Sequence, residues 1–264
     1  MKLKKINRVF NTLGFLYCLT FGLLMPIAIF ADIGSDAQFA AANAHYAKGE
    51  YEAALKGYEQ LVAKGVKAAP VYYNLGNAQY KLNNLAEAIL NYERAYKLNP
   101  ADKDIAANLR FVNQRITDKI EAVPELFLSN WWHSLLLSYS LHTWAAIGAF
   151  LTLIGFLLLA AYLFVAGASM KRVTFYSGVV FIVLAVFSLT MAFAQYSYLN
   201  GHQQAIIYNG TVNVKSSPNL AQKTLFVIHE GTKVTLLEHA DSWIKVELPN
   251  GNVGWIEENA ARKI

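Results

Sequence analysis

Residues 70–100, PVYYNLGNAQYKLNNLAEAILNYERAYKLNP, decide how the first part of this chain folds. The wider segment 35–122 has apolar residues at the spacing of amphipathic helices. When this segment is shifted against itself by one repeat, like residues align: Ala54 with Ala88, Tyr58 with Tyr92, Tyr46 with Tyr80, and Asn43 with Asn77. A period of about 34 residues, as in this alignment, is typical of an array of helix pairs.

The segment from Pro70 to Pro100 resembles the tetratricopeptide repeat. It has that family's residues in order: Tyr72, Leu75, Gly76, Ala88, Tyr92, Ala95 and Pro100. Small residues at Gly76 and Ala88 let two helix backbones approach, and Pro100 ends the second helix. The resemblance implies an all-α solenoid. An earlier copy over 36–69 is looser, because Ala42 stands where the glycine would be and no proline closes the repeat.

A capping helix is predicted after the second repeat. Residues 101–120 have apolar side chains at Ile105, Leu109, Val112 and Ile116. Two repeats and a cap fall short of the roughly three repeats that such arrays need for stability. We therefore expect the array to pack on a second copy of the chain, on a partner, or on the segment that follows.

The middle of the chain is too apolar for a soluble domain. Apolar residues make up 55% of the sequence and charged residues 16%, against about 25% charged residues in soluble proteins. The uncharged stretches 144–166 and 173–195 are each long enough to cross a bilayer. Cytoplasmic loops are rich in basic residues, and Lys171 and Arg172 lie between the two stretches. The sequence predicts a two-helix transmembrane hairpin over 144–195 in a bacterial inner membrane, with its loop in the cytoplasm.

The segment 1–31 has the features of a secretory signal. A basic head precedes an apolar run from Val9 to Phe30, with a candidate cleavage site after Ala31. The run is long for a signal peptide, so an uncleaved anchor is the alternative. Either interpretation agrees with the hairpin in making the array and the C-terminal segment periplasmic. The single cysteine, Cys18, lies in this run behind bulky residues that argue against lipid attachment.

An aromatic segment precedes the hairpin. Residues 123–143 are apolar and contain Trp131 and Trp132, with Trp144 directly after them. Tryptophan at this density beside a span is typical of a helix lying in the membrane interface. The alternative is an ordinary amphipathic helix packed on the array.

Residues 203–264 change to the period of two that is typical of β-strands. Turn residues such as Pro249-Asn250-Gly251 separate five or six short strands, which predicts a small barrel. The segment resembles the bacterial SH3 family in three stretches: 212–218, 229–234 and 243–256.

The order of all the parts resembles the BatE family of aerotolerance-operon proteins. That resemblance implies a role beside von Willebrand A-domain membrane proteins and a MoxR-type ATPase, in a system for envelope integrity and stress tolerance.

Catalytic motifs are missing from the sequence. It has no Gly-x-Ser-x-Gly, no phosphate loop and no His-Glu-x-x-His. Its six histidines do not pair at the spacing of metal ligands. The net charge of +5 comes from basic residues beside the apolar stretches and indicates topology, not nucleic-acid binding. We expect no enzymatic activity, cofactor or metal.

Two surfaces are candidates for binding other proteins. In tetratricopeptide arrays the first helix of each repeat lines the concave face. The resemblance therefore implies a binding face made of Phe39, Asn43, Tyr46, Tyr73, Asn77 and Tyr80. Some tetratricopeptide proteins bind a C-terminal carboxylate with asparagine and lysine side chains. This chain has Phe39 and Tyr73 where those lysines would stand, so an extended or helical apolar segment is the expected ligand. Alternatively, these tyrosines pack on the capping helix or on lipid. On the barrel, Tyr208, Trp243 and Trp255 could form an aromatic groove, unless a tryptophan belongs to the core.

These features predict a non-catalytic scaffold that binds partner envelope proteins, with homo-oligomerisation left open. The alternative is a cell-wall sensor whose SH3 domain binds peptidoglycan.

Overall fold

The computed structural model describes residues 33–124, 126–201 and 203–264. The signal expected over 1–31 lies outside these residues. In chain order the structure has a helical array, two long apolar helices and an antiparallel sheet. This confirms the predicted fold class, a multidomain membrane protein with a tetratricopeptide solenoid, two membrane-length helices and an all-β SH3-like barrel.

Within the described residues, five helices form the array: α1 (Ile33–Ala47), α2 (Tyr51–Ala63), α3 (Ala69–Lys81), α4 (Leu85–Leu98) and α5 (Lys103–Asn113). Each packs on the next one along the chain. Pro70 lies in the first turn of α3, where its missing N–H costs no hydrogen bond.

The two repeats achieve close helix packing in different ways. A Cβ atom on Gly76 of α3 would lie 2.8 Å from the Tyr92 ring of α4. At the equivalent position of the first repeat, Ala42 already carries a Cβ. Here the partner helix supplies the small residue, because a Cβ on Gly57 would lie 2.8 Å from the Cβ of Ala42. The first repeat therefore keeps the close approach with its glycine on the second helix.

Helix α5 is shorter than the helix predicted over 101–120. Asp102 caps its start, accepting hydrogen bonds from the backbone N–H groups of Asp104 (2.9 Å) and Ile105 (3.2 Å). It ends at Asn113. Residues 114–124, called the strap below, leave the helix and run to the barrel, where Ile120 packs on the core. The helical prediction was wrong here because tertiary packing outweighs the helical spacing of Ile116 and Ile120.

Two of the described helices, α7 (Leu141–Phe164) and α8 (Ala168–Gly201), are long and apolar enough to cross a membrane. Glycines line their contact: a Cβ on Gly148 would lie 2.7 Å from the Leu189 side chain. Ser188 Oγ donates a hydrogen bond to the carbonyl oxygen of Trp144 (2.7 Å). Close backbone approach through small residues is how membrane helices associate, because lipid offers no hydrophobic driving force between them.

A short helix, α6 (Phe127–Leu136), precedes the hairpin. Phe127, Leu128 and Trp131 are 85%, 71% and 55% exposed. Trp144, by contrast, is 6% exposed and packs with Met191 of α8. Of the three tryptophans in this region, Trp131 and Trp132 are exposed, whereas Trp144 holds the hairpin together.

In the described part of the chain, seven strands form one antiparallel sheet in the order β3-β2-β6-β5-β4-β1-β7. They are β1 (Gln204–Ile207), β2 (Thr211–Lys215), β3 (Thr224–His229), β4 (Lys233–Ala240), β5 (Trp243–Glu247), β6 (Val253–Glu257) and β7 (Ala261–Lys263). Alternate residues point inward, so Val212, Val214, Ile244, Val246 and Ile256 share one buried core.

Candidate interaction surfaces

The barrel packs directly on the second repeat. Ile206 of β1 is fully buried and belongs to the same apolar cluster as Ile89 of α4. Gly231, in the turn before β4, has a φ of +85°, and a Cβ there would lie 2.7 Å from Ile116 and 3.0 Å from Ile89. Glycine is therefore required at this turn both by its backbone conformation and by the closeness of the array.

Charged groups surround this apolar centre. Glu87 of α4 accepts hydrogen bonds from the Tyr208 hydroxyl (2.7 Å) and the Arg262 guanidinium (2.6 Å). Glu93, whose side chain is 9% exposed, pairs with Lys233 at 2.7 Å. Each acid is on the array and each base on the barrel, so the two modules are electrostatically complementary.

The strap adds a third contact through Asp118. One carboxylate oxygen accepts hydrogen bonds from the backbone N–H of His229 (2.6 Å) and the Thr232 hydroxyl (2.6 Å). The other lies 2.8 Å from Nδ1 of His229. Burial alone would raise the pKa of Asp118, but the hydrogen bonds from Thr232 and His229 outweigh it and hold the pKa below its ordinary value.

A ladder of asparagine side chains joins helices α1, α3 and α5 of the array. Asn74 donates to Asn43 (2.9 Å), and Asn108 donates to Asn77 (3.0 Å). Asn77 and Asn74 lie 3.5 Å apart, which joins the two pairs. The pair Asn43–Asn74 recurs one repeat later as the pair Asn77–Asn108. Helix α5 therefore occupies the position that the first helix of a third repeat would have.

Tyrosine hydroxyls anchor this ladder from the second helix of each repeat. Tyr58 donates to Asn43 and Tyr92 donates to Asn77, both at 2.7 Å. Burial raises the pKa of Tyr58 to about 12 and raises that of Tyr92 as well. Both phenols therefore stay protonated as hydrogen-bond donors at physiological pH.

The other predicted concave residues are half-buried. Phe39 packs on Tyr58, with ring centres 6.0 Å apart, and Tyr46 meets Tyr51 edge-on at 5.3 Å. Tyr73 accepts a hydrogen bond from Asn108 (3.1 Å), while Tyr80 contacts Phe111 of α5 at 5.7 Å. The three predicted residues of each first helix are spaced so that they share one face of that helix, and the asparagine ladder joins the two helices. Tyr73 and Tyr80 also touch α5, as the packing alternative expected.

The three aromatic residues predicted on the barrel do not form one groove. Tyr208 is bound to Glu87 and stacks on Arg262, whose guanidinium carbon lies 3.7 Å from the ring centre. Trp243 and Trp255 lie on neighbouring strands of the outer face, and both are half-buried. Neither tryptophan belongs to the buried core.

Trp243 lies beside a cavity of about 770 Å³ that also includes exposed Leu220 and the acidic Glu257. Trp255 is paired with Lys245, whose ammonium lies 5.9 Å from its ring centre. Among residues 33–124, 126–201 and 203–264, no three His, Cys, Asp or Glu side chains could share a metal ion.

The comparisons with known proteins agree with this anatomy. Residues 69–102 match the family model of the tetratricopeptide repeat, and residues 210–260 match that of the bacterial SH3 domain. The chain contains both modules. Both are interaction modules, which bind proteins or cell wall, and neither match indicates an enzyme family.

Among solved structures, the chain is similar to one described as the crystal structure of MamA, with 14% identity and a TM-score of 0.30. The match covers 71% of this chain and 92% of that one. Among proteins with curated functions, none matches significantly.

Sequence reasoning found the periodic part of these surfaces and missed the long-range part. It found Asn43 and Asn77, and the same shift of one repeat would have found Asn74 and Asn108. It missed Glu87, Glu93 and Asp118, which look like ordinary surface acids. Their partners lie far along the chain, in the barrel, where no local pattern points.

Proposed function

We propose that this protein is a non-catalytic membrane scaffold, in which the array and the SH3 domain form one unit that binds partner envelope proteins. The observation that carries the proposal is the docking of the barrel on α4 through Ile206 and the Glu93–Lys233 pair. On this proposal the first helices of the array hold one partner and the Trp243 face of the barrel holds another.

The same contact supports a shared location for both modules. The segments before α7 and after α8 touch each other, and a hairpin that returns to its starting side of the membrane allows this. With Lys171 and Arg172 at the opposite end, the positive-inside rule favours a periplasmic unit on the inner membrane. The cleaved or anchoring signal over 1–31 agrees with that orientation.

The resemblance to the BatE family supplies the partners. On this proposal the concave side of the array binds a von Willebrand A-domain membrane protein of an aerotolerance system. The half-buried tyrosines Tyr46 and Tyr80 supply apolar surface there, and the amide ladder supplies polar groups for a peptide backbone.

Photo-crosslinking in intact membranes tests this proposal. A photoreactive residue at Tyr46 or Tyr80 should trap an A-domain protein, whereas one at Lys56, exposed on α2, should not. Trapping at Lys56 alone, or at none of the three sites, would refute the proposed binding face.

A second candidate function is peptidoglycan binding, which the cavity beside Trp243 favours because an aromatic floor with polar walls suits a sugar or a stem peptide. The full-length chain in detergent should then sediment with purified sacculi. Trp243→Ala should reduce sedimentation, and Leu237→Ala, at an exposed residue of β4, should not. If the wild-type chain stays in the supernatant, this candidate is excluded.

A further inference from the structure

A cavity of about 360 Å³ lies where the array meets the ends of both membrane-length helices. His142 contributes from the first turn of α7, and Tyr196 and Asn200 contribute from the last turns of α8. Lys67 and Lys97 reach the cavity from the array. Because the spans end at this level, the cavity lies where the headgroups of a surrounding bilayer would be.

The lining of this cavity is strongly basic. Lys67, Arg94 and Lys97 line it, and no Asp or Glu side chain of the described residues does. These three cationic side chains give the lining a net positive charge. Arg94 is held in place by a hydrogen bond to the backbone oxygen of Lys263 (3.0 Å).

Within the described residues, Lys67 and Lys97 lack the carboxylate partners that the basic residues docking the barrel have. Lys233 and Arg262 are both paired with carboxylates. Among the ion pairs of the described part of the chain, none includes Lys67 or Lys97. Lys67 and Lys97 therefore bring positive charge to the cavity without belonging to an ion pair of the described residues.

An apolar stripe leads from this cavity down the side of α8. Leu189, Phe193, Tyr196 and Asn200 follow one another at helical spacing, so they share one face of the helix. Leu189, Phe193 and Tyr196 are 45%, 72% and 56% exposed. Polar Asn200 and the cationic side chains are at one end of the stripe, and purely apolar side chains are at the other. This is the order of headgroup and acyl chain in a phospholipid.

We propose that the cavity binds the phosphate of an anionic phospholipid, whose acyl chain lies along the stripe on α8. Lys67 and Lys97 bind the phosphate as point charges, and Arg94 adds planar N–H donors. The bound lipid would fasten the array to the membrane hairpin at the point where the soluble and membrane parts meet. This goes beyond the scaffold function and depends only on the membrane-spanning character of α7 and α8.

Native mass spectrometry of the full-length protein tests the site with phosphatidylglycerol and phosphatidylethanolamine of matched acyl chains. Wild type should retain phosphatidylglycerol preferentially. The double variant Lys67→Gln/Lys97→Gln should bind it about twenty-five-fold more weakly, since each lysine near a membrane surface contributes a factor of about five. Neither lysine is in an ion pair of the described residues, so the variant should keep the thermal stability of the wild type.

The matched control is Lys48→Gln/Lys56→Gln, which removes two exposed charges of the array outside the lining of the cavity. It should leave the preference for phosphatidylglycerol unchanged. Equal losses in both double variants would mean general surface charge and would overturn the proposed site, as would unchanged binding in the first. A third arm adds excess inorganic phosphate: if phosphate alone displaces the lipid completely, the site recognises free phosphate and the lipid assignment is wrong.

Discussion

Helices α2 and α4 are equivalent in the two repeats, yet their surroundings differ. Lys56 and Glu59 of α2 are exposed, whereas their counterparts one repeat later, Leu90 and Glu93, are 1% and 7% exposed. The barrel meets α4 through β1. The barrel therefore buries a face of α4 whose counterpart on α2 is exposed, and it adds to the cover that α5 gives the second repeat. This explains how a two-repeat array can be stable when about three repeats are usually needed.

Removing the apolar centre of this contact should have the largest effect. Ile206→Ala should lower the free energy of unfolding by about 3 kcal/mol, because it leaves a cavity between β1 and α4. Leu225→Ala, at a residue of β3 that is 48% exposed, should change it by less than about 0.5 kcal/mol. Chemical unfolding in detergent measures both. Equal effects would mean that the barrel does not cover the second repeat.

Disrupting the ion pair between Glu93 and Lys233 should have the second largest effect on the free energy of unfolding. Lys233→Met leaves the Glu93 carboxylate buried without its partner, which should cost about 2 kcal/mol of unfolding free energy. The double variant Glu93→Leu/Lys233→Met should recover most of this loss. Lys245→Met, whose partner Glu238 has a side chain 60% exposed, should cost less than about 1 kcal/mol. A double variant as unstable as the single one would contradict the pairing.

Removing one asparagine of the ladder should lower the free energy of unfolding by the same amount in either repeat. Asn43→Ala and Asn77→Ala each leave a buried tyrosine hydroxyl without its acceptor, so each should cost about 1–2 kcal/mol. Hydrogen exchange of the array amides would report the loss repeat by repeat. A clearly larger cost in one repeat would show that the ladder is not shared equally.

The smallest effect should be a pH dependence at the strap. The pKa of Asp118 is lowered in the folded state, so its contribution to stability is fully present above its ordinary value of 3.8. It should be lost as the pH falls through the lower folded pKa. Comparing unfolding midpoints of wild type and Asp118→Asn from neutral to acidic pH isolates this contribution. A constant difference between them down to the most acidic pH would contradict it.

Local patterns in the sequence predict the elements of this fold but not their assembly. The repeat period predicts the helix pairs, because Gly76, Ala88 and Tyr92 pack within their own repeat. The strap shows the limit: Ile116 and Ile120 keep helical spacing, yet they pack on two different cores. The same limit applies to Glu87, since nothing near it in the sequence indicates a tyrosine 121 positions later.

The barrel that covers the second repeat has a consequence for biosynthesis. Glu87 and its partner Arg262 are separated by 175 positions. At roughly 5–20 residues per second, the ribosome needs about 10–35 seconds to cover that distance. During this interval both membrane-length helices are synthesised while the apolar face of α4 stays uncovered. The nascent array therefore exposes an aggregation-prone surface until strand β7 is synthesised. Truncated chains keep this surface exposed, which makes them substrates for chaperones and proteases.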